Sequence, residues 1–535
     1  MVQWLEISAV RSDREIARPG HPRRAGGTPT APSTTEGPAM RKWTPLIAVC
    51  LGTFMLLLDI TIVNVALPDL ATDLDTGLSG LQWVIDVYAL TLAALLLGAG
   101  STADRIGRRR VYLAGLVVFA LASLGCALAS TTPALIAFRA VQGIGGAGMF
   151  ASTIALLGST YRGRDLGLAF GVWGSVSGFA SAAGPIAGGL LTEHLGWQWI
   201  FLVNLPISVV AVVLTVLRVP ESTGARARAD LVGLATFTLA AAAVTYGLIR
   251  ATGDGWSSGP VLISFAVSGG ALAAFVAVER TRRDPMLDLA LFGRPAFTGL
   301  MIGAALLSGA AFGGLAYVSI WLQSVLGLSP VDAGLVFLPL SGGALVVSAL
   351  AGRFLQHLAP RTAIGAGALL VGLGSAQMIV VGADSDAGTL LTGLLVTGLG
   401  IGLALPIMSS ATLAAVPRNR AGMAGGALTT ARQLGLVLAI AVFGALFAAR
   451  SEHSLRASGA VPDPHGTAGL LAGGQARRLL ALVPPDRHAA LDAAVHAAFA
   501  AGLRAVFVLA AAAAAVGAVL VLALVRSLPD RQRVS

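Results

Sequence analysis

The sequence is short of charge. Only 12% of its residues are Asp, Glu, Lys or Arg, against roughly 25% in a soluble domain, which excludes an ordinary water-facing surface. Lysine is almost missing. Lys42 is the only one, so arginine carries nearly all of the positive charge behind a net +10. Those arginines cluster in short loops, and the membrane reading below takes precedence over nucleic acid as a partner. The two cysteines, Cys50 and Cys126, fall inside apolar runs, which argues against a disulfide framework. The seven histidines are scattered without ligand spacing, so neither a metal nor a cofactor is expected. There is no GxxxxGKS/T phosphate loop to power an ATPase. A polytopic membrane enzyme would show an HExxH pair or a Ser beside a His at one membrane face, and no such cluster is evident.

What is present is apolar length. Hydrophobic residues make up 56% of the 535, the mean hydropathy is +0.81, and runs of about 20 residues recur, each able to cross a ~30 Å hydrocarbon core. The runs predict spans near 46–67, 81–101, 111–130, 133–155, 166–191, 200–218, 231–249, 261–278, 297–322, 332–351, 362–382, 389–411, 422–448 and 500–525. Alternate loops are basic: Arg105 with Arg108 to Arg110, Arg162 with Arg164, Arg226 with Arg228, Arg280 with Arg282 and Arg283, Arg353 with Arg361, Arg418 with Arg420. The positive-inside rule puts that set, and both termini, in the cytoplasm of a multi-pass cell-membrane protein. A miscount by one span would scramble the alternation. Residues 1–39, rich in Pro, Gly, Ser and Arg, read as a disordered tail, and Met40-Arg41-Lys42-Trp43 has the form of an internal start. The stretch 449–499 reads as a long external loop with short amphipathic helices.

Polar residues inside such spans demand a partner or a wet cavity. Asp59 and Asn64 lie in LLLDITIVNVALP (56–68), whose Pro68 reads as the helix end, and Asp86 lies in LQWVIDVYAL (81–90). In LIAFRAVQGIGGAG (135–148), Arg139, Gln142, Gly143 and Gly146 share one helix face. A guanidinium at mid-membrane costs roughly 2.5–3.5 kcal/mol on insertion scales and does not neutralise itself by losing a proton. Asp59 or Asp86 is the expected partner. GSTADRIGRRRVYL (100–113) forms a tight basic loop in which Asp104 caps the next helix end or pairs across to another helix. GVWGSVSGFASAAGPIAGGLL (171–191) mixes glycines with Gly184-Pro185, which suits close helix contact and a bend.

Together these stretches resemble the major facilitator superfamily, in particular its fourteen-span drug:proton antiporters, from about Met40 to Arg526. Gly100, Asp104, Arg105, Gly107, Arg108 and Arg109 match the superfamily's loop signature, here a cytoplasmic gate. LDITIVNVALP matches a first-span signature, Arg139 to Gly146 the fourth-span motif linked to proton coupling, and Gly171, Gly184, Pro185 and Gly189 the fifth-span antiporter motif. WLQSVLGLSPVDAGLVFLP (321–339) and GGALTTARQLGLVLAIAVFG (425–444) resemble further stretches of the family. Thr102 replaces a usual leucine, Ala180 a glycine and Gln198 a common arginine.

The resemblance implies an all-α fold of about fourteen transmembrane helices: a six-helix bundle over 40–220, a linker with two extra spans over 221–285, a second bundle over 286–526 and a tail at 527–535. It implies a central cavity with access alternating between faces, and export of drugs, antibiotics or other amphiphiles against protons. Asp59, Asp86 and Arg139 are then the coupling candidates. Asn64, Gln142, Phe312, Tyr317, Trp321, Gln323 and Met408 are cavity candidates, and Arg432 with Gln433 belongs to the inter-bundle seam unless Arg432 snorkels to the interface. The chain is expected to be a monomer, partnered by substrate, protons and lipid. Export of a single metabolite, such as a host-made antibiotic, is the alternative.

Overall fold

In lipid every backbone N–H and C=O must be satisfied within its own segment, so apolar runs of this length become helices. The computed structural model describes residues 38–76, 78–222, 230–282, 285–354, 358–417, 420–474 and 488–526. The expected tails at 1–39 (apart from its last two residues) and 527–535 lie outside them. Among the described residues the regular structure is helical, with no strand.

The N-terminal bundle comprises α1 (Pro38–Asp73), α2 (Leu78–Ile106), α3 (Arg108–Ala127), α4 (Thr132–Thr160), α5 (Gly163–Leu195) and α6 (Asn204–Arg218), the last led by the short turn Trp199–Leu202. Two further helices follow, α7 (Leu231–Asp254) and α8 (Gly259–Thr281), packed on each other. The second bundle holds α9 (Pro295–Phe312), α10 (Leu338–Phe354), α11 (Pro360–Gln377), α12 (Leu391–Ala414), α13 (Ala421–Ser458) and α14 (His488–Leu524). Among the described residues, thirteen helices are long and apolar enough to cross a membrane. The other expected span is α5, whose 33 residues reach about 50 Å at 1.5 Å per residue.

Helix ends follow side-chain chemistry. Thr131 caps α4 by accepting from Ala134 N, ahead of a proline in the first turn. Asp230 caps α7 in the same way through Gly233 N. Between α2 and α3 the chain turns at Gly107 with φ +119°, a conformation that L side chains avoid. A Cβ there would also meet the Glu221 carboxylate at 2.7 Å.

Helices overrun the hydrophobic spans. Position 68 does not end the first one: α1 continues to Asp73. A proline removes one backbone donor, which does not stop a helix held by its neighbours. At the far end, α13 runs on to Ser458, a short helix covers Pro464–Ala472, and α14 begins at His488. The expected loop 449–499 is therefore mostly helix where it is described, and 475–487 lies outside the described residues.

The most extensive contacts between the bundles are those of α5 along α10 and α2 along α13, with α4 against α13 and α5 against α12 beside them. In the first, Ser175 Oγ donates to the Leu345 carbonyl at 3.2 Å. In the second, Gly100 approaches so closely that an added Cβ would lie 2.6 Å from the Gly422 carbonyl oxygen.

Candidate functional site

Arg139 is placed by α4 at the centre of the first bundle, 1% exposed. Its Nη1 donates to Asp59 Oδ2 on α1 at 2.5 Å and to Gln142 Oε1 at 2.7 Å. Nε donates to the Val84 carbonyl on α2 at 3.0 Å. The guanidinium lies 4.3 Å from the ring centre of Tyr88 and 5.9 Å from that of Phe201, where aromatic faces favour a cation. Asp59 Oδ1 accepts from Gln142 Nε2 at 2.9 Å and from Asn204 Nδ2 on α6 at 3.4 Å. Gln142 Nε2 also reaches Ser123 Oγ on α3 at 2.8 Å. Five helices thus converge on one ion pair.

Asp59, Ser123, Gln142 and Asn204 are all fully buried, so water does not screen this pair. A buried pair is tolerated only when geometry and extra hydrogen bonds satisfy both ions, as here; removing one partner typically costs about 3–5 kcal/mol. Two polar atoms beside it, Tyr88 Oη and Asn204 Oδ1, have no hydrogen-bond partner among the described residues.

Of the two acids, Asp59 meets Arg139 and Asp86 does not. Tyr88 and Val84 turn one side of α2 to the arginine, and Asp86, two residues from each, lies on the opposite side. It is half-buried, and no hydrogen bond or ion pair ties it to another described residue.

The loop motif forms a second polar centre. Asp104 Oδ1 accepts from Arg108 Nε at 2.9 Å and Nη2 at 2.7 Å. It also accepts from Gly422 N at 2.8 Å, while Oδ2 accepts from Met423 N at 2.8 Å. The Asp104 carboxylate therefore caps the N-terminus of α13, in the other bundle, where backbone donors and the helix dipole favour an anion. Arg109 Nη2 donates to the Val216 carbonyl at 2.7 Å, and its backbone N–H donates to Glu221. Arg105 is half-buried alongside.

This latch seals one end only. Every residue of α13 from 421 to 430 is buried, and every residue from 431 to 440 is at least partly exposed. The α2–α13 contact is fully buried at the basic end, and α13 is more exposed beyond it. Removing the latch by Asp104→Ala is expected to shift the population toward opening at that end by about tenfold or more, the scale of hydrogen bonds to a charged group. Maleimide labelling of a cysteine at Ala427, buried in the seam, checks this. The native thiols are both buried and are replaced beforehand; unchanged labelling would show that the carboxylate does not hold the seam.

The other expected residues are spread through the second bundle and α5. Tyr317 Oη donates to the Ile440 carbonyl at 3.0 Å, and its ring stacks on Phe447. Trp321 is buried at the start of a π-helical turn, Trp321–Val325, and Gln323 bonds Ser319. Met408 is buried on α12, whereas Phe312 and Gln433 are half-buried. Gly171 is buried, and Gly184 faces α1, where a Cβ would come 1.8 Å from Thr61 Oγ1. Gly189 faces Val331. The side chains of Asn64 and Pro185 lie outside the described residues. Arg432 Nε reaches Ser308 Oγ on α9 at 3.4 Å.

Asn204, Ser123 and Tyr88 join the Asp59–Arg139 network without having been singled out by sequence. Asn204 carried a usable signal, as the one amide side chain in the apolar stretch 199–218.

The sequence matches the family model described as Major Facilitator Superfamily over residues 49–440. It is 36% identical over 423 residues to the Mycobacterium tuberculosis multidrug resistance protein Stp, covering 78% of this chain and 79% of that one. It is 34% identical over 510 residues to the tetracenomycin C resistance and export protein of Streptomyces glaucescens, covering 92% and 93%. The helices superpose on the human organic anion transporter MFSD10 with a TM-score of 0.60 at 16% identity, over 91% of this chain and all of that one; at that identity the likeness speaks for the fold. A buried cation with its acid in the first bundle, a latch between bundles and these relatives lead to one assignment. The chain is a multi-pass membrane transporter, not an enzyme, and belongs to the major facilitator superfamily, among its drug- and antibiotic-resistance exporters.

Proposed function

We propose that this transporter exports amphiphilic small molecules, drugs and antibiotics among them, in exchange for protons, by alternating access in the cell membrane with both termini cytoplasmic. The observation that carries the reading is the fully buried Asp59–Arg139 pair. An arginine keeps its charge at all accessible pH, so the acid is the partner able to titrate. With Asp59 ionised the pair is neutral overall. Protonation leaves Arg139 uncompensated in a dry interior, which shifts the balance between bundle arrangements. The latch supports the same picture, because it holds the bundles in one of those arrangements, closed at the end that the positive-inside rule assigns to the cytoplasm.

The energetics suffice. One charge crossing about 100 mV releases about 2.3 kcal/mol, and each tenfold of gradient requires about 1.4 kcal/mol. One proton moving through ~150 mV thus sustains a gradient above a hundredfold for a neutral substrate. The test is accumulation of a compound panel in cells with and without the protein, each with and without an uncoupler. Exclusion of compounds that collapses on uncoupling is expected; exclusion indifferent to the uncoupler would contradict proton drive. Several relatives are named for one antibiotic, including tetracenomycin C and methylenomycin A, and these favour a narrower second reading, export of a single metabolite. A panel in which one compound alone is moved would support it.

A further inference from the structure

Arg432 is the second arginine deep in the spans, and it lacks what Arg139 has. From Ala421 the axis of α13 rises about 16 Å to Arg432 at ~1.5 Å per residue, which puts the residue near the middle of a ~30 Å core. Its Nε makes one long contact, 3.4 Å to Ser308 Oγ. Its Nη1 is closed to solvent and has no hydrogen-bond partner among the described residues. No ion pair joins it to a described carboxylate. A permanent cation at that depth, left unanswered, is expensive and marks a ligand pathway more often than a structural support.

Its position says what kind of pathway. Arg432 stands on the first turn of α13 beyond the fully buried segment 421–430, where the residues become partly exposed. Leu438, 49% exposed, marks the outward side of that helix; six residues separate the two, roughly 120° around the axis. Arg432 is thus turned away from that side, toward α9. There Phe312, four residues on from Ser308 and half-buried, offers apolar surface on the same helix face. A planar double donor facing a helix that carries apolar surface suits a carboxylate borne on an apolar body.

We propose that Arg432 is the anchor for the anionic group of an acidic amphiphile, and that such acids are the preferred substrates of this transporter. The inference rests on the export reading above and narrows its substrate class. The substrate's carboxylate supplies the hydrogen bonds that the Nη1 of Arg432 lacks among the described residues, and the pair is neutral while the bundles rearrange.

The test uses the full chain in nanodiscs of neutral phosphatidylcholine and a xanthene dye bearing a free benzoate, with its methyl ester as the matched control. Fluorescence anisotropy gives both affinities. The wild type is expected to bind the acid about tenfold or more tightly than the ester. Arg432→Gln is expected to abolish that preference by weakening the acid alone, and Arg432→Lys to keep part of it. No acid preference in the wild type, or the same preference in Arg432→Gln, overturns the proposal. Thermal unfolding of the unloaded variants separates binding from support: Arg432→Gln is expected to be at least as stable as wild type, and a large loss of stability would make the residue structural. If Asp86→Asn restores to Arg432→Gln what the single change lost, the arginine serves that acid in another arrangement, and the proposal fails. Uncoupler-sensitive efflux of the ester by wild type is followed in parallel. Its absence counts against proton-driven export, whereas a preserved acid-to-ester ratio in Arg432→Gln counts against the anchor alone.

Discussion

Asp59→Asn is expected to abolish proton-driven export while leaving the protein folded in the membrane. Asparagine keeps an oxygen that accepts from Arg139, so the contacts around Val84, Gln142 and Tyr88 survive the change. What it loses is the ionised state. The side chain is fixed in the likeness of a protonated acid, and no cycle of charge remains to exchange for substrate. The substrate gradient across the membrane should fall from above a hundredfold, the limit for one proton through about 150 mV, to unity. Downhill exchange of labelled for unlabelled substrate is expected to persist, since the sealed seam and the cavity residues are untouched. Uphill efflux that still follows an imposed pH gradient in Asp59→Asn would assign coupling elsewhere. Asp86→Asn is the natural comparison and is expected to do less, because Asp86 does not touch the arginine.

The second large effect is on stability. Arg139→Met leaves Asp59 fully buried with its cation gone, and loss of one partner from such a pair costs about 3–5 kcal/mol. Thermal unfolding in detergent should therefore fall steeply. Combining Arg139→Met with Asp59→Asn removes both charges, and the double variant is expected to recover most of the lost stability without recovering transport. The coupling energy from the four-cornered cycle isolates the pair from the rest of the network. A double variant no more stable than Arg139→Met would mean that the arginine's other contacts, to Val84 and Gln142, carry its structural weight.

Much of this was legible in the residues. An arginine at Arg139 and an acid at Asp59 at matching depth call for each other, because hydrocarbon leaves few alternatives. The choice between Asp59 and Asp86 was not legible, since it depends on how α2 is rotated about its axis, and that rotation is set by packing across several helices. Asp104 was marked as a cap for the next helix or a partner across to another; it caps α13 in the other bundle, and the start of α3 has no side-chain cap. Its donors, the N–H groups of Gly422 and Met423, are backbone atoms and leave no trace in residue type. The helix ends were misjudged at Pro68 and over 449–499 because hydropathy reports where lipid stops, and helices continue past that boundary. Arg432 was left between seam and interface; the structure gives it one long bond, to Ser308 on α9 of its own bundle, and a buried Nη1 without a partner among the described residues.

Proton release on ligand addition tests the coupling most directly. Purified protein in weakly buffered detergent is mixed with a transported compound that does not itself titrate near the working pH, and a pH indicator follows the protons. Wild type is expected to give a release that scales with ligand bound, and Asp59→Asn to bind the same compound silently. An equal release from Asp59→Asn would contradict the assignment of the exchanging proton to the acid that faces Arg139.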